Sequence, residues 1–517
     1  SVFNNCATLR ISPNILLLET KAFVLYNKND ILPGNALLPA GARKEETMDN
    51  AVILAGGAGK RMHSSKPKVL LEVLGKPMLS WVTDACESSG IKNICVVKGH
   101  EAELIDSYLN GKYETAYQPE RLGTGHAVMC AAEFLAAHSG GSTFVTCGDA
   151  PFIDSETIKA ALKQHIESKS AVTVITAKLD DPYGYGRILR GGDENEILGI
   201  AEQKDCSEEQ KKISEISSGS YWFDTDELLK VLPLLDRNNA QGEYYLTDTI
   251  RLMREDGKRA CAYLSENNSA VLGANDRKGL LALNEIARAK VIQKHLENGV
   301  EFVCTDGVII SPDAEIGADT KILPGTIIMG RTKIGSGCTI GPDSRLTDTV
   351  VGDFSVLDNT VASSAQVGSN VSIGPFVQLR KGAVISDFAH VGDFVEIKNS
   401  VIGEGTAVAH LTYIGDSDVG KNVNFGCGVV TVNYDGTNKN RCVIKDDAFI
   451  GCNTNLIAPV TVGEAAYTAA GSTVSADVPD GALAIERSEQ KNIAGYAEKK
   501  LARHLQKGKK YKHQGKK

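Results

Sequence analysis

Apolar residues recur at every sixth position through a long stretch of this chain, and this spacing restricts the possible folds more than any other feature. One run is Ile316, Ile322, Ile328, Ile334, Ile340 and Leu346, and a second, after a change of phase, is Val367, Ile373, Leu379, Ile385, Val391 and Ile397. An α-helix repeats about every 3.6 residues and a strand about every two, so neither has this period. A coil of short parallel strands does, because each face of the coil then turns one apolar residue inward. We predict a left-handed parallel β-helix of hexapeptide repeats over residues 299–490, in preference to a two-sheet sandwich with glycine turns.

Glycine directly follows many of these apolar residues, at positions 317, 335, 341, 368, 374 and 392. A backbone with positive φ suits the corners of such a coil, and glycine adopts it at little cost. We therefore expect these glycines to form corners. After Ile402 we expect the six-residue spacing to loosen at residues 409–413, where a loop and a site would fit.

The composition excludes some classes of function. The net charge of -8 gives no general attraction to nucleic acid or to an anionic membrane, and the apolar runs are too short to span a bilayer. The 12 cysteines form no CxxC pair and no zinc-ligand spacing, which favours reduced thiols in the cytoplasm. We expect a cytoplasmic protein of two or three domains with no nucleic-acid or membrane partner.

The two ends of the chain differ from the rest. Residues 1–47 precede MDNAVILAGG, which has the form of a natural start at Met48. We expect an extra, poorly ordered segment there, and a genuine element docked on the first domain is the alternative. Residues 491–517 form a basic tail, in which the stretch from Lys499 to Lys517 contains nine Lys or Arg and no acid. A disordered, solvated charge run is expected there, and proximity to the phosphates of coenzyme A is the alternative.

Residues 48–275 have the pattern of an α/β domain. A short apolar run, 51–54, leads into Ala-Gly-Gly-Ala-Gly-Lys-Arg-Met at 55–62, where small residues would let backbone N–H groups approach an anion. This loop is neither GxGxxG nor a Walker P-loop. Further apolar segments alternate with helical patterns, which is typical of a doubly wound sheet. Asp149 follows one such segment, at the edge where open α/β sheets bind ligands, and a carboxylate there suits Mg²⁺.

Residues 276–298 carry a helical apolar stripe. Asn275 or Asp276 can cap such a helix and Gly299 can end it. We predict one long helix that connects the two domains.

His410 is one of ten histidines, and a single histidine is more often a surface or core residue than a functional one. An imidazole that titrates near neutrality can also serve as a proton acceptor, so both interpretations are open for His410 at this point.

Several motifs together resemble a known family. They are LAGGAGKRM (54–62), KPKVL (66–70), QPERLGTGHA (118–127), GDAP (148–151), YGYGRI (183–188), GEYYLTD (242–248) and AHLTYIGD (409–416). The first six resemble the sugar-1-phosphate nucleotidylyltransferases, and their combination with a β-helix is similar to the GlmU family. The resemblance implies a Rossmann-like nucleotidylyltransferase domain followed by an acetyltransferase β-helix. It implies two reactions: glucosamine-1-phosphate is acetylated by acetyl-CoA, and N-acetylglucosamine-1-phosphate then receives the uridylyl group of UTP with Mg²⁺, releasing pyrophosphate. The product, UDP-N-acetylglucosamine, would feed peptidoglycan and lipopolysaccharide precursors, and the enzyme would be a homotrimer.

The resemblance also implies roles for residues of the first domain. Arg61 and Lys68 would contact and neutralise the transferring phosphates. The nucleotide would be bound by Leu54, Ala55, Gly56, Gly57, Lys68, Gln118, Gly123, Thr124, Cys147, Gly148 and Asp149. Mg²⁺ would be held by Asp149 and Asn275. The sugar phosphate would contact Gly186, Glu202, Ser217 and Asn275. The family usually has Asn in an Asn-Thr-Gly turn where this chain has Ser217-Ser218-Gly219, which leaves the sugar preference open.

In the second half the resemblance makes His410 the general base. The sugar phosphate would be bound by Arg380, Lys398, Tyr413 and Asn424. Acetyl-CoA would contact Cys427, Asn433, Tyr434, Lys439, Cys452, Ala470 and Arg487, and Lys439 would also help to bind the sugar phosphate. Residues 433–436 would form an inserted loop that reaches a neighbouring chain. Cys427 replaces the usual Ala and Cys452 the usual Ser, and a thiol is a poorer hydrogen-bond donor than a hydroxyl.

Two other interpretations remain. One is a nucleotidylyltransferase of different specificity whose β-helix only oligomerises. The other is a regulatory homologue without activity. Arg61, Lys68, Asp149 and His410 are all present, which favours the bifunctional enzyme.

Overall fold

The computed structural model describes residues 49–192 and 195–506, so the prediction for residues 1–47 lies outside the described part. Within that part, no helix combines the length and the apolar character needed to cross a membrane. The described chain contains an α/β domain, a connecting helix, a β-helix and a C-terminal helix.

The α/β domain is built on one sheet in the order β11-β7-β10-β6-β1-β4-β5, with β8 paired to β10, β9 paired to β8, and a separate β2–β3 hairpin. The strands are β1 (Asn50–Ala55), β2 (Glu72–Val73), β3 (Lys76–Pro77), β4 (Asn93–Lys98), β5 (Glu114–Tyr117), β6 (Ser142–Cys147), β7 (Val172–Lys178), β8 (Arg187–Arg190), β9 (Ile197–Ala201), β10 (Glu215–Asp224) and β11 (Ala260–Leu264). Strand β1 pairs in parallel with β4 and β6, whereas β10 runs antiparallel to β6 and β7.

Helices cover both faces of this sheet. They are α1 (Met78–Ser88), α2 (Ala102–Leu109), α3 (Thr124–Met129), α4 (Ala132–Ala137), α5 (Ser155–Glu167), α6 (Thr225–Val231) and α7 (Asp248–Glu255). Successive residues of a strand point to opposite faces, so Val52 packs in one core while Ala51 and Ile53 pack in the other. The doubly wound α/β fold is confirmed.

The predicted connecting helix is α8 (Arg277–Glu297). Asp276 caps it by accepting a hydrogen bond from Gly279 N at 2.9 Å, and the chain leaves it through Gly299, which has φ of 84°. Leu283 and Ala287 are buried in a core that also contains Val73 of the first domain and Val308 near the start of the β-helix. The helix therefore packs against both domains.

Three parallel sheets form the faces of the β-helix. The first face contains β12 (Glu301–Phe302), β15 (Lys321–Ile322), β18 (Thr339–Ile340), β21 (Val356–Leu357), β24 (Ser372–Ile373), β27 (His390–Asp393), β30 (Ala407–His410), β33 (Asn424–Phe425), β36 (Phe449–Ile450), β39 (Tyr467–Thr468) and β41 (Leu483–Ala484). The second contains β13 (Ile309–Ile310), β16 (Ile327–Met329), β19 (Arg345–Thr347), β22 (Thr360–Ser363), β25 (Val377–Leu379), β28 (Glu396–Lys398), β31 (Tyr413–Gly415), β34 (Val430–Val432), β37 (Asn455–Ile457) and β40 (Thr473–Val474). The third contains β14 (Glu315–Ile316), β17 (Lys333–Ile334), β20 (Val350–Val351), β23 (Gln366–Val367), β26 (Val384–Ile385), β29 (Val401–Ile402), β32 (Ser417–Val419), β35 (Cys442–Ile444) and β38 (Val460–Val462).

The two apolar runs of the sequence fill the interior of this coil. All twelve of their residues are buried, with at most 9% of the side chain exposed. One full coil contains three hexapeptides, since Lys321 pairs with Thr339, 18 positions later. The coil that begins at Asn424 is longer, because Asn424 pairs with Phe449, 25 positions later. The extra residues form a hairpin closed by a bridge between Tyr434 and Lys439, in agreement with the predicted insertion.

Two expectations about the coil are wrong. Gly317, Gly335 and other glycines after inward residues do not have positive φ, apart from Gly341 and Gly374. A Cβ at Gly335 would lie 2.8 Å from Asp353 N and 2.9 Å from Gly352 C on the next coil, so close approach of the backbones selects glycine there. The spacing also stays regular at residues 409–413, since Val408 and Ile414 are both fully buried, six positions apart.

The C-terminal segment contains α9 (Tyr496–Gln506). The expectation of a disordered charge run is therefore wrong for the stretch from Lys499 to Gln506, while residues 507–517 lie outside the described part. Good helix formers dominate the sequence YAEKKLARHLQ, which accounts for the helix.

Candidate active sites

The glycine loop after β1 and the Asp149 loop after β6 lie side by side. Their strands are parallel neighbours, so their carboxyl ends meet at one edge of the sheet. Gly148 N donates a hydrogen bond of 2.9 Å to Leu54 O, which fixes one loop against the other. The predicted proximity of Asp149 to the glycine turn is thus present in the fold.

A cavity of about 400 Å³ opens at this edge. Of the residues predicted to contact the nucleotide, the phosphates or the metal, it is lined by Leu54, Gly56, Gly57, Arg61, Lys68, Gln118, Gly123, Thr124, Cys147, Asp149 and Asn275. Ala55 and Gly148 do not line it: Ala55 packs into the core beneath the loop, and Gly148 is bonded to the strand. The cavity is also lined by Lys60, Arg121 and Glu243, which sequence reasoning missed, although all three lie inside the quoted motifs.

Lys68, Asp149 and Asn275 converge on one point. The Lys68 ammonium pairs with the Asp149 carboxylate and donates to Asn275 Oδ1 at 2.9 Å. The positively charged Lys68 Nζ therefore lies between two oxygen atoms that could also bind a metal cation. Among the described residues, no group of three or more His, Cys, Asp or Glu could hold a metal ion. Two protein oxygens nevertheless fit Mg²⁺, because this ion usually keeps several waters and binds through one or two carboxylates and substrate phosphates.

Gln118 forms a buried wall of the cavity. Its Nε2 donates to Gly123 O at 3.1 Å and contacts His126 Nδ1 at 3.3 Å. Its Oε1 lies over Gly56, where a Cβ would be only 2.6 Å away. The side chain thus presents its amide oxygen to the glycine loop in a fixed orientation.

A smaller cavity of about 200 Å³ adjoins the first and shares Leu54, Thr124 and Cys147 with it. Of the four predicted sugar-phosphate contacts, Gly186, Glu202 and Ser217 line it, whereas Asn275 lines the larger cavity. Burial raises the pKa of Glu202, and burial raises the pKa of Cys147 to about 12, so this thiol stays neutral. Ser217 Oγ lies 3.2 Å from the Tyr221 hydroxyl, which holds this shorter side chain against the wall.

In the β-helix, His410 belongs to a column of residues on successive coils at the corner between the first and second faces. Asp393 pairs in register with His410, and Gly428 N donates to His410 O at 3.4 Å. Asn453 N and Gly471 N donate in the same way to Cys427 O and Cys452 O, both at 2.8 Å. The His410 column therefore consists of Asp393, His410, Cys427, Cys452 and Ala470. Arg487 joins its end, since its Nη1 donates to Ala470 O at 2.9 Å.

Cationic side chains gather at the other edge of the second face. Arg380 pairs with Glu396 at 2.8 Å, and Lys398 Nζ lies 3.3 Å from Asp416 Oδ2. Lys439 lies beside Lys398, and the neighbouring Lys398 ammonium lowers the pKa of Lys439. We call Arg380, Lys398 and Lys439 the cation cluster.

Asp416 anchors this edge and was missed by sequence reasoning. Its side chain is only 5% exposed, and it accepts hydrogen bonds from Asn399 and Asn433 as well as Lys398. Burial alone would raise its pKa, but these hydrogen bonds outweigh burial and hold the pKa of Asp416 below its usual value. The carboxylate thereby fixes both Lys398 and the start of the inserted loop.

The single chain does not bring all predicted acetyl-site residues together. The His410 column and the cation cluster occupy opposite edges of the second face, with Tyr413 at the start of β31 between them. Asn424 lies on the first face. Tyr434 is 56% exposed, and its hydroxyl donates a hydrogen bond to Gly436 O within the inserted loop.

Comparisons with known proteins agree with this two-part arrangement. The Nucleotidyl transferase family profile matches residues 50–273, and the profile of Bacterial transferase hexapeptide (six repeats) matches residues 313–348. A curated relative named Bifunctional protein GlmU, from Caldanaerobacter subterraneus subsp. tengcongensis, is 47% identical over 451 residues, or 87% of this chain and 98% of the relative. This chain belongs to the GlmU family.

Other GlmU relatives give the same result. The Bifunctional protein GlmU of a Geobacillus species is 46% identical over 449 residues, 87% of this chain and 97% of the relative. That of Clostridioides difficile is 45% identical over 450 residues, with 87% and 97% covered. Family membership confirms the predicted bifunctional enzyme of UDP-N-acetylglucosamine synthesis, with a nucleotidyltransferase half and a hexapeptide acyltransferase half.

Proposed function

We propose that the N-terminal cavity transfers a uridylyl group from UTP to N-acetylglucosamine-1-phosphate, and that the β-helix first acetylates glucosamine-1-phosphate with acetyl-CoA. The observation that carries the proposal is the presence of two separate constellations on one chain. One is the glycine loop with Lys68, Asp149 and Asn275, and the other is the His410 column with the cation cluster.

Uridylyl transfer at the first site needs positioning more than proton transfer. The sugar phosphate is already an anion when it attacks the α-phosphorus of UTP, so no general base is required. Lys68 and Arg61 line the cavity, and their positive charges offset the charge that spreads over the phosphate oxygens. Mg²⁺, held by Asp149 and Asn275, would supply further neutralisation of the triphosphate when bound.

The two adjoining cavities suit the two halves of this reaction. Gln118 and Gly123 would contact the uracil in the larger cavity, and Glu202 and Gly186 would contact the sugar in the smaller one. Cys147 and Thr124 lie at the boundary, since they line both cavities. The nucleophile and the α-phosphorus would meet there.

At the second site His410 would accept the proton of the attacking amine. Nitrogen then forms the amide bond with the thioester carbon, the carbon–sulfur bond breaks, and the imidazolium returns the proton to the coenzyme A thiolate. Arg380, Lys398 and Lys439 would bind the sugar phosphate, because adjacent cations match a phosphate dianion. Tyr413 and Asn424 would orient the amine. Acetyl-CoA would lie along Cys427, Cys452, Ala470 and Arg487, with Asn433 and Tyr434 from the inserted loop.

A homotrimer would complete this second site. Three apolar side chains follow the His410 column along its corner: Phe376, Phe394 and Leu411 are 57%, 55% and 58% exposed. The two phenylalanine rings stack with centroids 5.3 Å apart. Such an apolar ladder favours contact with a second copy of the chain, which would bring a neighbouring inserted loop to His410. Eleven free cysteines in the described part favour a reducing compartment such as the cytoplasm.

The proposal is tested by assaying the purified protein with glucosamine-1-phosphate, acetyl-CoA, UTP and Mg²⁺, leaving out each in turn. We expect coenzyme A thiol to be released without UTP, and pyrophosphate to be released only when acetylated sugar is present. Omission of Mg²⁺ should stop pyrophosphate release and leave thiol release unchanged. Pyrophosphate release with unacetylated sugar at an equal rate would contradict the assigned substrate.

A further inference from the structure

Asp393 is the hydrogen-bond partner of the His410 imidazole. Asp393 Oδ1 lies 2.6 Å from His410 Nδ1, and no other hydrogen-bond partner of this imidazole is present in the part of the chain that the structure describes. The two residues pair in register on adjacent coils, at the ends of β27 and β30. Leu411 N also donates to Asp393 O at 3.0 Å, so the backbone holds the two side chains at this separation.

We propose that Asp393 is a positioning residue for acetyl transfer, which acts by holding His410 with its Nδ1 protonated and its Nε2 free to accept the proton of the amine. The inference rests on the proposed role of His410 as the base. A neutral imidazole carries one N–H, and a carboxylate accepts but cannot donate. The contact therefore fixes the tautomer as well as the ring orientation, as a carboxylate does in the Ser-His-Asp arrangement.

The surroundings favour an ionised carboxylate at this position. Asp393 accepts a hydrogen bond from His410, and this contact, with the nearby charge of His390, holds the pKa of Asp393 below its usual value. Two acids of the second face are engaged elsewhere: Glu396 pairs with Arg380 at 2.8 Å, and Asp416 with Lys398 at 3.3 Å. Asp393 is thus the carboxylate assigned to the imidazole.

Two substitutions separate the parts of this role. Asp393→Ala removes the acceptor, and Asp393→Asn keeps an uncharged one. We expect Asp393→Ala to lower kcat of acetyl transfer at least about tenfold, with Asp393→Asn in between, and KM for glucosamine-1-phosphate to change less than about threefold. Asp358→Ala is the matched control, because Asp358 lies on the same corner two coils earlier and has no contact with His410. Uridylyl transfer by the same samples reports whether the chain is folded.

The tautomer of His410 is a readout that would not change if Asp393 had only a structural role. With the imidazole nitrogens labelled by ¹⁵N, His410 of the wild-type protein should show a protonated Nδ1 and an unprotonated Nε2. Asp393→Ala should shift that balance toward protonated Nε2. An unchanged tautomer in a folded variant would overturn the proposal.

A double substitution separates this inference from the proposed function. If Asp393 acts through His410, adding Asp393→Ala to His410→Ala should cause no further loss of acetyl transfer. If His410→Ala alone keeps full activity, the proposed function of the site fails. If His410→Ala is inactive while Asp393→Ala equals the wild type in kcat, only the present inference fails.

Discussion

Asp416 illustrates how one buried side chain supports the proposed acetyl site. It accepts hydrogen bonds from Lys398, Asn399 and Asn433, and its side chain is 5% exposed. Replacing the carboxylate by an amide turns one acceptor oxygen into an NH2 donor, which leaves at least one buried donor without its acceptor. Asp416 is therefore a point at which stability and substrate binding are linked.

We predict that Asp416→Asn lowers the stability of the β-helix by about 2 kcal/mol and raises KM for glucosamine-1-phosphate about tenfold, because Lys398 loses its anchor. Chemical denaturation and steady-state acetyl transfer measure the two effects. Asp418→Asn is the control: Asp418 is 50% exposed and pairs with Arg441 on the surface, so a change below about 1 kcal/mol is expected. Equal effects of the two substitutions would contradict the role of Asp416.

The Asp416 carboxylate should make the stability of the β-helix fall as the pH is lowered. The hydrogen bonds to Asp416 hold its folded-state pKa below that of an unfolded aspartate, which is about 3.9. Its contribution to stability is therefore complete above this value and is lost as pH falls through the folded-state pKa. Asp416→Asn should not show that loss, and its stability should approach that of the wild type at low pH.

The sequence predicts the proposed catalytic residues better than the residues that hold them in place. His410, Lys68 and Asp149 stand in short motifs whose chemistry can be recognised locally. Asp393 and Asp416 depend on contacts across coils, since Asp393 lies 17 positions before His410 and Asp416 lies 17 before Asn433. These pairs can be identified only after the register of the coil is known.

At the scale of the element, the hexapeptide period predicted the β-helix but not the chemistry of its corners. Positive φ at corners is adopted mainly by other residues, among them Asp343, Asn370 and Phe376. Gly335 lies instead where the next coil approaches its Cα. A period of six fixes which residues point inward, whereas the distance between neighbouring backbones appears only in three dimensions.

A Gly→Ala pair tests this account of the coil. Gly335→Ala places a Cβ 2.8 Å from Asp353 N on the next coil, and we expect it to lower the free energy of unfolding of the β-helix by about 1–3 kcal/mol. Gly199→Ala, at a position with nothing within 4 Å of the added Cβ, should change stability by less than about 0.5 kcal/mol. Thermal unfolding of both variants measures the difference. Equal unfolding midpoints for the two variants would contradict the claim that the next coil lies too close to Gly335 for a Cβ.

At the scale of the whole molecule, helix α8 joins two domains whose sites share no residue. The proposed uridylyl cavity opens at the carboxyl ends of β1 and β6. The His410 column lies far along the β-helix, from its sixth first-face strand onward. Each proposed site is built by its own domain. A substitution that changes the charge at one site should therefore leave the activity of the other site unchanged. This independence is the central claim of the account.

The most direct test measures both half-reactions on the same two variants, Asp149→Asn and His410→Ala. Asp149→Asn should lower uridylyl transfer about 100-fold or more, because the oxygen pair with Asn275 loses its charge, and leave acetyl transfer within about twofold of the wild type. His410→Ala should do the reverse. Parallel loss of both activities in either folded variant would contradict two separate reaction centres on one chain.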